Sequence, residues 1–516
     1  MRNQGTGSWP ARRARMSPDR TALIHDGRAL SYAALHDRVT RLARALDGLG
    51  VTRGDRVAYL GPNRPELAET LFAAGALGAV FVPLNSRLAP PELAGILRDC
   101  AASVLIWDAR LARAVGALRE AGLAVGHDVM TGPGEYEDLI DREPNGPVDE
   151  PVSLDEPGMI QYTSGTSGRP KGVVLTHANI AWNCVNILID VDLSAEEVSL
   201  VSAPMFHTAG LNQLFLPTFL KGGTSVLMSA FDPDAALELI GKHQVTWMFG
   251  VPAMFAAMTR SPRWAGADLS SVRILMCGGA PVPAALIRAY QDRGLTFVQG
   301  YGLTETSPGA LFLRAPDSVR KAGSAGTPCF FTDVRVVRPD LTEVAAAETG
   351  EVIIQGPNVT NGYWRQPAAT AAAFLPGGWL RSGDAATIDR DGYVFIAGRV
   401  KDMFISGGEN VYPAEVEQVL CEHPAVAECA VIGVPDDHWG EVGRAVVVLR
   451  DGAAADPDAI LGFLDGRLAR YKIPKALLIV HEMPRNVTAK ISRQELSRMV
   501  AAASPAAVGP GLDHTR

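Results

Sequence analysis

Cysteine is scarce in this chain and is not arranged for use. The six residues (Cys100, Cys184, Cys277, Cys329, Cys421 and Cys429) are scattered, without a CxxC pair or a histidine at zinc spacing. That argues against a disulfide framework or a structural zinc site and suits reduced thiols in the cytoplasm. Positive charge is not in excess either. With a net charge of −8 there is no global field to draw nucleic acid or an anionic membrane. Long apolar runs are missing: the longest uncharged one, residues 71–84, falls short of the roughly 20 that span a bilayer. It reads as a buried helix followed by a strand. Arg12, Arg13 and Arg15 make the N-terminus basic, but no apolar segment follows, so no secretory signal is expected.

What is present points to nucleotide chemistry. Residues 161–172 read QYTSGTSGRPKG. Thr163, Ser164, Thr166 and Ser167 offer hydroxyls, Gly165, Gly168 and Gly172 let backbone N–H groups come close, and Lys171 ends the run with a cation. Apolar residues 159–162 and 173–175 flank it, so it reads as a loop between two strands. Such a loop cradles a polyphosphate, although a flexible polar linker also uses Gly and Ser. It is not a GxxxxGK[ST] loop, because Lys171 follows Pro170 and precedes Gly172.

At 516 residues the chain predicts about two to four units. From residue 20 to about 125, short apolar runs alternate with amphipathic ones: residues 32–49 carry Leu35, Val39, Leu42 and Leu46 at helical spacing, and 56–60, 80–83 and 103–107 read as strands. Residues 131–153, with Pro, Gly and acidic side chains, read as a surface connection. Strands follow at 200–204, 224–228, 246–249 and 273–277, and Asp232-Pro233 is a helix start. This alternation predicts parallel-rich sheets covered by helices, with ligands at the carboxyl ends of the strands. Three loops belong there, at 204–207, 278–281 and 301–305. Beyond residue 334 the texture turns β-rich, with a hairpin at Asp391-Gly392. A mixed unit follows, with a helix opened by Tyr412-Pro413, strands at 426–434 and 445–449, and a helix over 459–469. The expected division is a large N-terminal α/β domain, residues 1–400, a small mobile α+β domain, 401–500, and a loose tail, 501–516.

Six motifs occur in one order: TSGTSGRPKG, GGAP, YGLTE, WLRSGDAA, GRVKDMFISGGENVYPAEVE and PRNVTAKISRQEL. Together they resemble the adenylate-forming superfamily over roughly residues 20–497, and MFHTAGL, KAGSAGTP and ISGGENVYPAEVE look most like fatty-acyl-CoA ligases. The resemblance implies that a carboxylic acid and ATP give an acyl-adenylate and pyrophosphate, and that coenzyme A then takes the acyl group, with Mg²⁺ required. By that resemblance Thr163, Ser164, Gly165, Thr166, Ser167, Gly168 and Lys171 hold the β- and γ-phosphates. Glu305 holds Mg²⁺ and Thr304 bonds the α-phosphate. Tyr301, with Gly302 beside it, stacks on adenine, and Gly278, Gly279 and Ala280 form the other wall. Asp384 accepts from the ribose hydroxyls, Arg399 adds a cation there, and Lys490 bridges carboxylate and α-phosphate. Lys401 is the hinge of the mobile domain, Gly407 and Gly408 line the coenzyme A channel, and His207 serves both catalysis and the acyl pocket. One departure is Ala489, where the family usually has Gly.

For the acid, the residues point to an apolar chain. An Arg just before the YGMTE-like motif, expected for malonate, is replaced by Gly300, and an aromatic two after the FH histidine, common in phenylpropanoid ligases, is replaced by Ala209. Ala209, Gly210, Gly300 and Gly302 are expected to leave open space lined by Leu211, Leu214, Phe215 and Met276. Medium- to long-chain fatty acids are the expected substrates, since each buried CH₂ contributes about 0.8 kcal/mol. Alternatives are an aryl, malonyl-type or polyketide-derived acid, loading of a carrier protein, and a silent acyl- or nucleotide-binding protein, which Ala489 alone supports. A cytoplasmic enzyme without a transmembrane segment is expected, with peripheral membrane contact and a homodimer left open.

Overall fold

The computed structural model describes residues 2–123, 125–132, 134–146, 148, 150–163, 170–280, 282–406, 409–436, 438–485 and 491–503. Helices begin where the sequence provides a cap or a proline. Ser31 accepts from Ala34 N ahead of Tyr32–Gly48, and Asp232 accepts from Ala235 N ahead of Pro233–His243.

The chain divides into two compact units. The first comprises residues 1–282, 286–334 and 354–381. It contains a nine-stranded sheet in the order Thr327–Pro328, Gly309–Phe312, Phe297–Gly302, Ile274–Gly278, Trp247–Gly250, Val198–Val201, Thr224–Leu227, Thr21–His25, Arg28–Ser31. The inner strands, from Phe297–Gly302 to Thr21–His25, are parallel. A seven-stranded sheet runs Gly362–Tyr363, Lys171–Thr176, Pro157–Thr163, Val80–Leu84, Arg56–Leu60, Val104–Asp108, His127–Thr131. Its central strands are continuous apolar runs buried on both faces, as parallel sheets under helices require. Residues 71–84 resolve into the end of helix Pro65–Ala76 and strand Val80–Leu84. Among the described residues no helix is long and apolar enough to cross a membrane.

One stretch of this unit differs from expectation. Part of residues 131–153 is more than surface: helix Glu135–Asp141 buries Tyr136 and Ile140, and the Tyr136 hydroxyl donates to buried Glu69 at 2.7 Å. Arg38 holds the same carboxylate at 2.6 Å, which offsets the burial of its charge. The extreme N-terminus is also part of the core. Trp9 is buried, Asn3 Nδ2 donates to Gly75 O at 3.2 Å, and a Cβ on Gly7 would lie 2.1 Å from Ala76 N.

The second unit comprises residues 283–285, 335–353 and 382–516. Within it residues 335–337, 349–353 and 382–388 belong to one sheet, with Val394–Arg399 paired to the last. The other runs Glu409–Val411, Phe404–Ser406, Gly440–Leu449, Val426–Asp436, with Ala476–Val480 beside Gly440–Leu449. The division falls between Arg381 and Ser382, upstream of Lys401, so the Asp384–Arg399 hairpin belongs to the same unit as the C-terminal residues. Gly398 lies against Ala414 of helix Pro413–Leu420, where a Cβ would find the Ala414 methyl at 3.5 Å. The helix expected over 459–469 spans only Pro457–Gly462, and Gly466, at φ +71°, adopts a conformation no helix continues through. Helix Arg493–Ala502 takes in the first residues of the expected tail, and 504–516 lie outside the described residues.

His177 ties the N-terminus to the hairpin that begins at Pro157. It is fully buried, its Nδ1 accepts from Thr6 N at 3.2 Å, and burial lowers its pKa to about 4. The unfolded imidazole titrates near 6.5. Between about pH 6.5 and 4 the unfolded chain takes up a proton that the folded chain refuses, so stability falls as pH falls, by about 3 kcal/mol in all. Urea midpoints at about pH 7 and pH 5, on either side of the unfolded pKa, should fall further apart for the wild type than for His177→Gln. Equal spacing in the two proteins would remove His177 as the cause.

Candidate active site

The phosphate-loop stretch is a hairpin. Pro157–Thr163 and Lys171–Thr176 pair antiparallel, with Thr163 opposite Lys171. Ser164, Gly165, Thr166, Ser167 and Gly168 lie outside the described residues. Gly172 is needed for packing: its carbonyl accepts from Trp364 N at 2.7 Å, and a Cβ would stand 2.8 Å from Ile160 Cγ2. Tyr363 pairs with Val173, and Lys171 Nζ lies 5.1 Å from its ring centroid. A loop whose ends are pinned by two strands places its closing cation without help from the loop itself.

The YGLTE segment leaves strand Phe297–Gly302 and turns back at once into Gly309–Phe312. Leu303 N donates to Pro308 O at 3.1 Å and to Thr306 Oγ1 at 2.9 Å. A side chain at Gly302 would put its Cβ 1.6 Å from Pro308 O, so this glycine exists for backbone approach, not to leave space. Buried Asn358 closes the turn from behind, its Nδ2 donating to Thr306 O at 2.8 Å and to Gly309 O at 2.6 Å. Thr360 N donates to Glu305 O at 2.7 Å, and the Tyr363 hydroxyl donates to Glu305 Oε1 at 2.9 Å. Burial first, and then the Glu305 charge, push the Tyr363 hydroxyl pKa up, so it remains a donor throughout the working pH range. Glu305, Tyr363 and Lys171 therefore form one small cluster.

The residues expected at adenine lie at the ends of two neighbouring strands. Gly278 opposes Gly300 in parallel register, a Cβ on Gly278 would lie 2.8 Å from Gly300 O, and Gly279 sits at φ +83°. Ala280 follows at the end of that strand, and Tyr301 and Thr304 are half-buried.

The acyl side departs from expectation. Asn63 fixes the loop before His207, donating to Ala203 O at 2.9 Å and accepting from Met205 N at 2.7 Å. Residues Ala209–Phe215 then wind as a π-helical turn, an irregularity often found at functional sites. Gly210 fits this turn against backbone, since a Cβ would lie 2.5 Å from Pro204 O. Leu211, Leu214 and Phe215 are fully buried in the core, Phe215 beside Phe72 and Phe219, and so are not a free pocket wall. Ala209 is half-buried, and over Gly300 the methyl of Met276 occupies the space expected to be open.

In the second unit Asp384 is buried and faces Arg399 across the hairpin, with Arg399 Nε 2.8 Å from Asp384 Oδ1. Arg399 also donates from Nη1 to Ser382 O at 3.1 Å. Lys401 begins just beyond, in the short turn Val400–Asp402. Lys490, Ala489, Gly407 and Gly408 lie outside the described residues.

Among the described residues no three His, Cys, Asp or Glu side chains converge to hold a metal. A hard Mg²⁺ held by one carboxylate, by water and by substrate phosphates needs no such cage. Glu305, oriented through one oxygen by Tyr363, fits that requirement. Sequence reasoning missed Asn358, Thr360, Tyr363 and Asn63. The QGPNVTNGYW run, with its turn-forming Asn and Gly, was the available signal for the first three.

Residues 10–364 match the AMP-binding enzyme family and residues 415–490 its AMP-binding enzyme C-terminal domain, so the chain belongs to the AMP-binding, adenylate-forming enzymes. Within them it is an acid–CoA ligase that forms AMP and uses ATP, Mg²⁺ and coenzyme A. It is 54% identical over 498 residues to a feruloyl-CoA synthase of an Amycolatopsis species, covering 96% of this chain and 99% of that one. It is 39% identical over 511 residues to a long-chain-fatty-acid–CoA ligase of Mycobacterium tuberculosis, covering 98% and 100%. A solved anthranilate CoA ligase in complex with anthranoyl-AMP superposes with a TM-score of 0.91 at 28% identity, covering 98% and 99%.

The turn at Gly302 is open to direct test. Gly302→Ala should cost on the order of 1–3 kcal/mol through overpacking and displace Thr304 and Glu305. Melting temperature and AMP-forming turnover should both fall. Gly266→Ala, where a Cβ meets nothing within 4 Å, is the control. Wild-type melting and turnover in Gly302→Ala would refute the steric account.

Proposed function

We propose that this ligase activates an aryl-substituted carboxylic acid of the hydroxycinnamate kind, converting it with ATP and coenzyme A to the aryl-CoA, AMP and pyrophosphate. The observation that carries this reading is the 54% identity to a feruloyl-CoA synthase across nearly the whole of both chains, against 39% to a long-chain-fatty-acid–CoA ligase. The buried state of Leu211, Leu214 and Phe215 supports it, because these side chains are taken up by the core and offer no free wall to a long alkyl chain.

Adenylation brings two anions together, so its transition state needs fixed positive charge and fixed donors. In this reading Lys171, with the loop residues from Thr163 to Gly168, faces the β- and γ-phosphates. Thr304 bonds the α-phosphate, and Lys490 joins it to the carboxylate. Glu305 would hold Mg²⁺, which supplies charge neutralisation to the phosphates when bound. Tyr301 stacks on adenine, and Asp384, its charge balanced by Arg399, takes the ribose hydroxyls. Turning about Lys401 would then exchange Lys490 for the coenzyme A channel at Gly407 and Gly408, and His207 lies at the acid's carboxylate end.

Two measurements test this. Pyrophosphate release with ATP and coenzyme A, across ferulate, 4-hydroxycinnamate, cinnamate, benzoate, malonate and C2 to C18 fatty acids, should give its highest kcat/KM on a hydroxycinnamate. A rise with each added methylene, peaking on a fatty acid, would overturn the aryl reading in favour of an alkyl substrate. Separately, Tyr363→Phe keeps the ring under Lys171 but frees Glu305 to rotate. Loss of one orienting hydrogen bond at a metal ligand should raise the Mg²⁺ concentration for half-maximal adenylation by about 10-fold, and weaken Mn²⁺ binding to the enzyme–ATP complex in parallel. Unchanged Mn²⁺ affinity would remove Tyr363 from that role.

A further inference from the structure

One buried amide beside the acyl slot has a poor partner. Gln213 lies in the π-helical turn between Leu211 and Phe215 and is only 2% exposed, with buried Asn212 before it and buried Leu214 after it. A primary amide at such a place is costly unless its N–H groups are bonded. Its Nε2 donates to Met276 Sδ at 3.1 Å. A thioether sulfur is a weak acceptor, so this contact satisfies the donor less well than an oxygen would.

The surroundings of that contact are those of a place that can be emptied. Met276 belongs to strand Ile274–Gly278, whose carboxyl end carries Gly278 and Gly279. Its methyl lies 2.2 Å from where a Cβ at Gly300 would stand, so the side chain rests on bare backbone immediately before Tyr301. Methionine is unbranched and adaptable, and can turn away at small cost. On the other side, Gln213 Oε1 is 3.9 Å from the place of a Cβ at Gly309, whose own N–H donates to Asn183 Oδ1 at 3.0 Å. Glycines at 300 and 309 thus leave the amide end facing backbone and one movable thioether. All of these residues belong to the first compact unit.

We infer that Gln213 reads a polar substituent on the ring of the acid, with its Nε2 donating to a phenolic or ether oxygen that takes the place of the Met276 thioether. This rests on the aryl reading above. The occupant is an aromatic acid with an oxygen on the ring, not an unsubstituted aryl or alkyl acid, which would leave the amide with sulfur alone. The inferred step is one of binding. Discrimination is expected to be moderate because, when the oxygen is absent, Met276 returns to the N–H and the donor is not stranded.

The test compares kcat/KM for ferulate, 4-hydroxycinnamate and cinnamate in the full-length wild type, Gln213→Leu and Gln213→Glu. The wild type should prefer the oxygenated acids. Gln213→Leu should lower the oxygenated-to-unsubstituted ratio by about 10-fold, mainly through KM, while kcat on cinnamate stays within about twofold. Gln213→Glu keeps an acceptor but loses the donor, so the ratio for 4-methoxycinnamate, assayed alongside, should fall more than that for 4-hydroxycinnamate, whose free hydroxyl can donate to the new carboxylate. Melting curves for both variants separate lost selectivity from lost fold, and selectivity measured on whichever variant folds decides the matter. An unchanged ratio in a folded variant that still turns over cinnamate overturns the role of Gln213 and leaves the aryl reading intact. Failure of the wild type on all three aryl acids overturns both.

Discussion

The segment carrying Thr304 and Glu305 depends on one constraint: a tight backbone turn must be closed where there is no water to satisfy it. Residues 303–309 double back so sharply that the Pro308 carbonyl occupies the place of a Gly302 side chain. Buried carbonyls in such a turn cost free energy unless each finds a donor. Asn358 provides two N–H donors at once, to Thr306 O and Gly309 O, and Thr332 Oγ1 donates to its Oδ1 at 2.8 Å. Asn186 in turn donates to Thr332 Oγ1 at 3.0 Å, and Asn179 holds the Asn358 segment through Pro357 O and Val359 O. A chain of small amides and hydroxyls fixes the turn, and the turn fixes the direction in which Glu305 leaves it.

Charge is handled sparingly around that turn. The Glu305 carboxylate is oriented by Tyr363, a neutral donor. An arginine in that place would have neutralised it. Asp384 is treated oppositely: it is buried, and Arg399 balances it at 2.8 Å. A cation beside a carboxylate makes its burial tolerable. The two carboxylates are therefore held by different means, a phenol in one place and a guanidinium in the other.

The residues expected at the nucleotide and those expected at the acid sit on different elements. Lys171 and the turn after Phe297–Gly302 are held by strand pairing and by residues 357–363. The residues expected to face the acid lie on the π-helical turn Ala209–Phe215 and on strand Ile274–Gly278.

Much of the architecture was legible because it is local. Asp232-Pro233 starts a helix through a bond three residues away, residues 56–60 and 80–84 are strands because they are largely apolar, and the motif order alone identified the superfamily and the chemistry of acid, ATP and thiol. The acyl pocket was misread for a physical reason: a glycine in a sequence looks like vacant space, yet Gly302 and Gly210 are glycine because backbone carbonyls already fill that space, and the leucines near His207 face the core. Such contacts join residues far apart in the chain. Composition and local pattern by themselves determined the class of sheet and the helix starts, and the ordered motifs, through their resemblance to a known superfamily, gave the reaction family. Only the tertiary structure decided that Tyr363 and Asn358 serve Glu305 and its turn, and that Gln213 faces a thioether, because a hydrogen-bond partner is set by proximity in space, which no local pattern encodes.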